Sequence, residues 1–397
     1  MSEKKSLRQT SIMSCFSIIP DPRKERNQVH NLFDLITVAI LAILCGADDW
    51  VEVNLWASSN IEWLNQFDIC LNGAPSHDTL SRFFRYLDPQ AFQKCFIAWT
   101  QSVAKVVGGV IALDGKTLCN SSDTTSGTKA IHIVSAFSAE NDIVLGQLAT
   151  EAKSNEITAF PLLIEMLDLK GAIVTIDAAG CQKTIAEAIR DKGGDYVLAL
   201  KGNQGSLHAE VDNFFNQALV VEPEDCGCDY YKNEESSRGR REQREVWSID
   251  DIDWLPQKKE WKDLRSIVCL KSTRTQKGAC TVEKRYYLSS LSSDAAKLAY
   301  AIRSHWAVEN KLHWQLDVSY GEDNCKICKD HGAENFSVIR RATLNILKGD
   351  KKTKAGIKNK RSKAGWDRKY KVDPKIKTKN CLLNRMPRCH IIYPLAS

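Results

Sequence analysis

Two aspartates, Asp114 and Asp177, close apolar runs that read as β-strands, VIALDGKT and GAIVTID. A carboxylate at a strand's carboxyl end stands where the chain leaves the sheet, which is where open α/β sheets build their sites. Asp also favours turns for local reasons, and for either residue alone that reading is the stronger one. Two such ends separated by a β-β-α-β path call for more than turn chemistry. A third carboxylate, Glu309, lies in RSHWAVENKLHWQLDVSYGED (Arg303–Asp323). Steps of three and four from Ile302 reach Trp306, Glu309, His313 and Leu316, so helical spacing puts Glu309 on a largely apolar stripe facing the protein body. A carboxylate there is costly unless it is protonated, paired or bound to a metal. A buried salt bridge, or a half-exposed place at the stripe's edge, is the alternative. Three hard oxygen donors without thiolates favour Mg²⁺ or Mn²⁺ over zinc. Two such ions about 4 Å apart lower the pKa of an attacking water or 3′-hydroxyl and stabilise the leaving oxygen. Phosphodiester cleavage and strand transfer need those two services.

Other side chains could assist or compete. Lys116 in DGKT and Lys201 in LKGNQ could each hold a phosphate or simply be solvated. His305, Glu309 and His313 recur at i, i+4 and i+8, a spacing that could carry zinc on a helix face. A drift of roughly 40° per step spreads the outer two apart. Cys325 and Cys328, followed by His331, make one CxxC without a matching second pair; free thiols are the simpler account of these and of the fourteen scattered cysteines. PSHDTLSRFFRYLD (Pro75–Asp88) offers a helix capped by Ser76, with Leu80, Phe83, Phe84 and Leu87 at helical spacing and Arg82 and Arg85 on the other side. Such arginines could enter a DNA groove, although an ordinary amphipathic helix has the same pattern. Trp247, Trp254 or Trp261 could stack on an unpaired base or pack in a core.

Elements must bring these residues together. With 397 residues, 43% hydrophobic and 26% charged, the chain is long enough for two or three compact domains and too apolar for disorder throughout. Its longest apolar run, Leu35–Cys45, is too short for a bilayer and too late for a signal peptide, so it reads as a core helix in a cytoplasmic protein without a membrane partner. Residues 1–105 read as a helical N-terminal domain. Residues 106–201 read as β-β-β-α-β-α-β. The first strands are Val106–Thr117, Ala130–Ser138 and Asp142–Glu151. A helix capped by Thr158, with Pro161 in its first turn, then runs to about Leu169. A buried strand at Gly171–Asp177 leads to a helix at Lys183–Lys192, stopped by Gly193-Gly194, and a strand at Tyr196–Lys201. That order makes an α/β fold, a mixed sheet with helices on its faces. Residues 202–295 read as strand-rich, with Arg244–Ile249, Leu264–Ser272 and Lys284–Leu291 and no helix between them. Residues 296–348 return to helix. Residues 349–397 form a basic tail: from Lys348 to Lys379, 14 Lys plus Arg face three Asp, a balance suited to DNA phosphates or to a solvated tail.

In order along the chain, ALDGKT, TIDAAGCQ, LALKGNQ, IRSHWAVENKLHW, LDVSYGED, ENFSVIRRATLNILK and KAGW resemble the H repeat-associated proteins, insertion-sequence transposases of the DDE class. The resemblance runs from about Asp21 to about Asp367, and PSHDTLSRFFRYLD resembles the end of that family's N-terminal associated domain. It implies a ribonuclease H-like catalytic core, completed by residues 296–348, with an all-β insertion between the second Asp and the Glu; residues 202–295 fall in that gap. It carries the acidic triad, catalytic and metal-binding, to Asp114, Asp177 and Glu309, with two Mg²⁺ or Mn²⁺ ions. It further implies cleavage and strand transfer of double-stranded DNA, at element ends and target, by a chain that is at least a homodimer on DNA. After GED the family carries basic residues; here Lys326 keeps a charge for phosphate and Cys328 forfeits one. Beyond Asp367 nothing matches the family, as in a replaced or frame-shifted end. Two other functions stay open: a catalytically decayed DNA-binding remnant of such an element, and a metal-dependent nuclease with a cellular role.

Overall fold

The computed structural model describes residues 15–16, 18–24, 28–104, 108–122, 127, 129–150, 156–222, 225–237, 239–367 and 370. Its helices are α1 (Leu32–Leu44), α2 (Trp50–Ser59), α3 (Ile61–Asn65), α4 (His77–Tyr86), α5 (Pro89–Val103), α6 (Glu156–Met166), α7 (Lys183–Asp191), α8 (Gly205–Ala218), α9 (Ala295–Val308), α10 (Trp314–Tyr320), α11 (Gly332–Gly349) and α12 (Ile357–Trp366). Its strands are β1 (Gly109–Thr117), β2 (His132–Ser138), β3 (Ile143–Thr150), β4 (Ala172–Ile176), β5 (Asp195–Leu200), β6 (Asp229–Ser237), β7 (Arg240–Ile249), β8 (Ser266–Gln276) and β9 (Ala279–Ser289). Two compact units form, one from Met1–Val103 with Val318–Ser397, the other from Ala104–Asp317. Among the described residues no helix is long and apolar enough to cross a membrane.

The first unit is helical. The apolar run expected as a core helix is α1, started by the Asn31 side chain accepting from the Asp34 N–H at 2.7 Å and buried from Leu35 through Leu44. The Ser76 cap also forms: its hydroxyl accepts from the Thr79 N–H at 3.2 Å, and Leu80, Phe83, Phe84 and Leu87 are buried. Glu322 of GED and Arg341 of α11 make a fully buried ion pair at 2.9 Å; removing either partner would strand a charge, at a cost of roughly 3–5 kcal/mol. The expected basic tail is partly structural. Residues 357–366 are α12, in which Lys360 and Arg361 are buried, and Arg361 donates to the Ile43 and Ala47 carbonyls at the end of α1. Gly365 of KAGW lies so close that a Cβ there would come within 2.9 Å of the Cys45 carbonyl oxygen. These two cations cap a helix instead of facing phosphate. Nearly all of the tail beyond Asp367 lies outside the described residues.

The second unit is built on one nine-stranded mixed sheet, ordered β3-β2-β1-β4-β5-β9-β8-β7-β6. β1 pairs parallel with β4, and β4 with β5; β2, β3 and β6–β9 add antiparallel neighbours. Buried Val110, Ile173 and Val197 face α9, which packs on them through Ala295, Leu298, Ala301 and Ile302. On the other face, Ile176 abuts Phe160 of α6 around Gly180.

Three expectations change. The strand-rich segment 202–295 opens with a 14-residue helix, α8, whose Leu207, Val211, Phe215 and Ala218 are buried at helical spacing. Its four strands join the core sheet edge to edge through β9 and β5. The helix expected from Thr158 begins at Glu156, so Pro161 lies inside it and forgoes one backbone hydrogen bond.

Candidate active site

Pairing of β1 with β4 ends at Leu113 opposite Ile176, so Asp114 and Asp177 are the next residues on neighbouring parallel strands. Alternation along each strand puts Val110, Ala112 and Asp114, and likewise Ile173, Thr175 and Asp177, on the α9 face. Asp177 ends its strand as expected. Asp114 does not: β1 continues through Thr117 because β2 goes on pairing with it, Asp114 opposite Ser135 and Thr117 opposite His132.

The two carboxylates are held differently. Asp177 is exposed and caps the one-turn helix Ala178–Gly180, its Oδ1 accepting from the Ala179 N–H at 3.0 Å and the Gly180 N–H at 3.4 Å. Asp114 is mostly buried; Oδ1 accepts from the Gly115 N–H at 2.9 Å and Oδ2 lies 3.5 Å from His313 Nδ1. Burial pushes its carboxyl up to about 7 against the pull of the Gly115 N–H, aided by the negative fields of Asp177, Glu156 and Glu309.

Glu309 sits outside the buried stripe predicted for it. It is exposed, and among the described residues no hydrogen bond or ion pair holds its carboxylate. Between α9 and α10 the chain makes a π-helical turn, Glu309–His313. One inserted residue shifts helical phase by roughly 100°, which brings Val308 and Leu312 into the core and turns Glu309 out. The same insertion realigns the flanking histidines. Eight residues at the ordinary twist leave His305 and His313 roughly 80° apart; the π turn reduces that to about 20°. Both then reach the sheet. His305 Nδ1 bonds the Thr175 hydroxyl on β4 at 3.0 Å, and His313 faces Asp114 on β1. Burial lowers the His305 pKa, opposed by the field of Asp177 and by Thr175. With the two rings committed to different strands, the zinc arrangement does not form. Among the described residues, no three His, Cys, Asp or Glu side chains stand close enough to hold one ion.

The DGKT motif divides its side chains between two faces. Asp114 and Lys116 point toward α9–α10, where Lys116 forms an ion pair with Asp317 and keeps only 10% of its side chain exposed. Lys116 is thus engaged within the protein, which corrects its reading as a phosphate contact. On the other face, His132 links the Thr117 hydroxyl at 2.9 Å and the Glu156 carboxylate at 3.1 Å. Gly115 sits beneath that pair, and a Cβ there would collide with Glu156 Oε1 and His132 Nε2. Neither partner was visible in the sequence pattern.

Lys201 stands exposed at the carboxyl end of β5. Asn203 and Gln204, two and three residues further on, donate to the Ala178 and Cys181 carbonyls at 2.8 Å each. Of the arginines on α4, Arg82 is exposed, but Arg85 is paired with Asp330 at 2.6 Å, correcting its reading as a free DNA contact. Lys326 is exposed, and Cys325 and Cys328 are free thiols. Trp247 and Trp261 are buried, and Trp254 stacks on Phe214 at 5.1 Å. The aromatic beside Glu309 is instead Trp306, 38% exposed, with the Arg285 guanidinium 5.4 Å from its ring centroid. It borders a groove of about 530 Å³ between α9 and the faces of β6–β9, lined also by Arg244, Arg303 and Asn310.

Comparison with known proteins agrees with this arrangement. The family model described as "Transposase DDE domain" matches residues 107–346, and the one described as DDE_Tnp_1-associated matches residues 13–100. YbfL and the H repeat-associated "putative transposase" YhhI, both of Escherichia coli (strain K12), are each 43% identical over 368 residues, covering 90% of this chain and 96% of theirs. YncI of Escherichia coli O157:H7 is 41% identical over 365 residues, covering 91% and 93%. Among solved structures, the synaptic complex of piggyBac transposase with hairpin DNA aligns over 94% of this chain and 80% of that one, with TM-score 0.40 and 10% identity. A family model over more than half the chain, joined by relatives above 40% identity along nearly its whole length, places this protein among the H repeat-associated transposases of the DDE class.

Proposed function

We propose that this chain cleaves DNA at the ends of its mobile element and joins the freed 3′ ends to target DNA, with Asp114, Asp177 and Glu309 as the acidic residues of the reaction. What carries this reading is the adjacency of Asp114 and Asp177, one residue beyond the last paired position of two neighbouring parallel strands. Glu309 supports it, as a carboxylate turned out of the helix core by the π turn between two histidines that reach those strands. The strands β3-β2-β1-β4-β5 with α6, α7 and α9 are read as a ribonuclease H-like core, and α8 with β6–β9 as the insertion between the second Asp and the Glu.

The donor chemistry suits a hard divalent cation. The three groups offer carboxylate oxygens and no thiolate, and the acidic surroundings that push Asp114 up to about 7 are the kind a cation relieves. Bound to these residues, Mg²⁺ or Mn²⁺, two ions in this reading, would lower the pKa of the attacking water or hydroxyl and stabilise the leaving oxygen. The chain's own role is to hold the donors. Two backbone N–H groups fix Asp177 Oδ1, so that its other oxygen faces outward. His313 and the Gly115 N–H fix Asp114 from two sides, and the Lys116–Asp317 pair ties β1 to the segment carrying Glu309. Lys201, Arg82 and Lys326, all exposed, are available to phosphates of double-stranded DNA. Handling two element ends together calls for at least a homodimer on DNA.

Supercoiled DNA carrying the element's ends, incubated with the protein and Mg²⁺ or Mn²⁺, tests this. Cutting followed by joining is expected, and Asp177→Asn should abolish both. Cutting that survives Asp177→Asn would show the triad to be wrong. DNA binding without cutting in either metal would mark a decayed remnant, and cutting that is never followed by joining would mark a nuclease.

A further inference from the structure

The KGNQ motif lies at the carboxyl end of β5, beside the end of β4 with which β5 runs parallel. Neither the triad nor a phosphate contact accounts for its last two residues. We infer that Asn203 and Gln204 are positioning residues that set the Asp177 carboxylate by gripping the turn it caps, an inference resting on the role proposed for Asp177.

The geometry is direct. Asn203 Nδ2 donates to the Ala178 carbonyl oxygen at 2.8 Å. That carbonyl belongs to the same planar peptide unit as the Ala179 N–H, which donates to Asp177 Oδ1 at 3.0 Å. Pulling on one end of a rigid peptide orients the other, so Asn203 aims the N–H that aims the carboxylate. Gln204 Nε2 donates to the Cys181 carbonyl oxygen at 2.8 Å, where the turn hands over to α7. The turn is otherwise lightly held: its own backbone closes it through Gly180 N–H to Asp177 O at 3.1 Å and Cys181 N–H to Ala178 O at 3.3 Å. Partners one step removed from a metal-binding group commonly change metal affinity by about 10–100-fold when lost. Asn203 is exposed, so replacing it removes the grip without opening a core.

The test uses the full chain, with Asn203→Ala and Asn203→Asp as variants; Asp removes the donor and sets an acceptor against the Ala178 carbonyl. In metal-free protein, hydrogen exchange is followed over residues 177–182. Ala179 is expected to exchange about 5-fold faster or more in both variants, with exchange elsewhere unchanged. Calorimetric titration with Mn²⁺ alone is expected to show affinity reduced by about 10-fold, more for Asp than for Ala. Cleavage should be recovered by raising Mn²⁺. Unchanged exchange at Ala179, or wild-type Mn²⁺ affinity in both variants, overturns the inference. Asp177→Asn separates the two ideas. Should it bind Mn²⁺ as wild type does, the role given to Asp177 fails and the exchange result alone decides the grip.

Discussion

Asp114 and Asp177 occupy equivalent places on neighbouring parallel strands, yet their surroundings treat charge in opposite ways. At Asp177 the strand stops, the chain turns into one short helical turn, and two N–H groups meet an exposed carboxylate. At Asp114 the strand goes on, because β2 keeps pairing with it, and the carboxylate stays mostly buried with a single N–H. The first arrangement stabilises an anion with no help from outside. The second leaves one in need of a cation. A sheet edge can therefore prepare one donor by backbone geometry and hold another at the edge of ionisation.

Replacing each aspartate by Asn tests the contrast at its greatest amplitude. Either change should reduce cleavage by about 10³-fold or more, roughly 4 kcal/mol of activation free energy. In stability the two variants should diverge. The folded-state pKa of Asp114, about 7, lies above its ordinary 3.8, so folding favours the protonated form. The stability this contributes is whole below about pH 4 and is lost as the pH rises through 7. With metal removed by chelation, Asp114→Asn should match wild type near pH 4 and exceed it at pH 8 by about 2–4 kcal/mol. Asp177→Asn should change stability by under about 1 kcal/mol at either pH, since Asn caps as Asp does. Thermal melts at both pH values decide it; equal behaviour of the two variants at pH 8 would remove the contrast.

Each aspartate is also followed by a glycine with no room for a Cβ, and the two obstacles differ in kind. Beyond Asp114, Gly115 lies against the buried His132–Glu156 pair; beyond Asp177, Gly180 lies against the Ile176 side chain. Gly115→Ala has to separate a hydrogen-bonded polar pair and should cost about 3 kcal/mol. Gly180→Ala presses on an apolar side chain that can shift and should cost about 1–2 kcal/mol. Denaturant unfolding of the two variants checks the order, and a larger loss for Gly180→Ala would reverse it.

How legible these features were depends on the range over which they are determined. The buried run of α1, the Ser76 cap and the strand ending at Asp177 are local and could be read from spacing. So could α8 have been, since Leu207, Val211, Phe215 and Ala218 recur at helical spacing, had the strands beyond it not dominated the segment. β6, DYYKNEESS, could not: an edge strand of mostly exposed residues has no apolar alternation. The continuation of β1 past Asp114 is decided by β2, a partner out of reach of any local pattern. The π turn defeats periodic reading in principle, because one inserted residue exchanges the core roles of Glu309 and Val308.

Lysines beside the two strand ends allow a finer test. Lys116 and Lys201 lie in similar motifs and could be taken for equivalent phosphate ligands. Lys116 is turned inward onto Asp317 and nearly covered, whereas Lys201 is exposed. A lysine that neutralises a phosphate releases counterions and contributes roughly 0.9 to the slope of log affinity against log salt. Lys201→Gln should therefore lower that slope by about 1 and weaken DNA binding modestly. Lys116→Gln should leave the slope unchanged while reducing stability by about 1–2 kcal/mol, because it leaves Asp317 without its partner. DNA-binding titrations across a range of salt, on both variants, separate the roles. A slope change from Lys116→Gln equal to that from Lys201→Gln would mean that Lys116 leaves Asp317 when DNA arrives, and the two strand ends would then be more alike than their unbound geometry suggests.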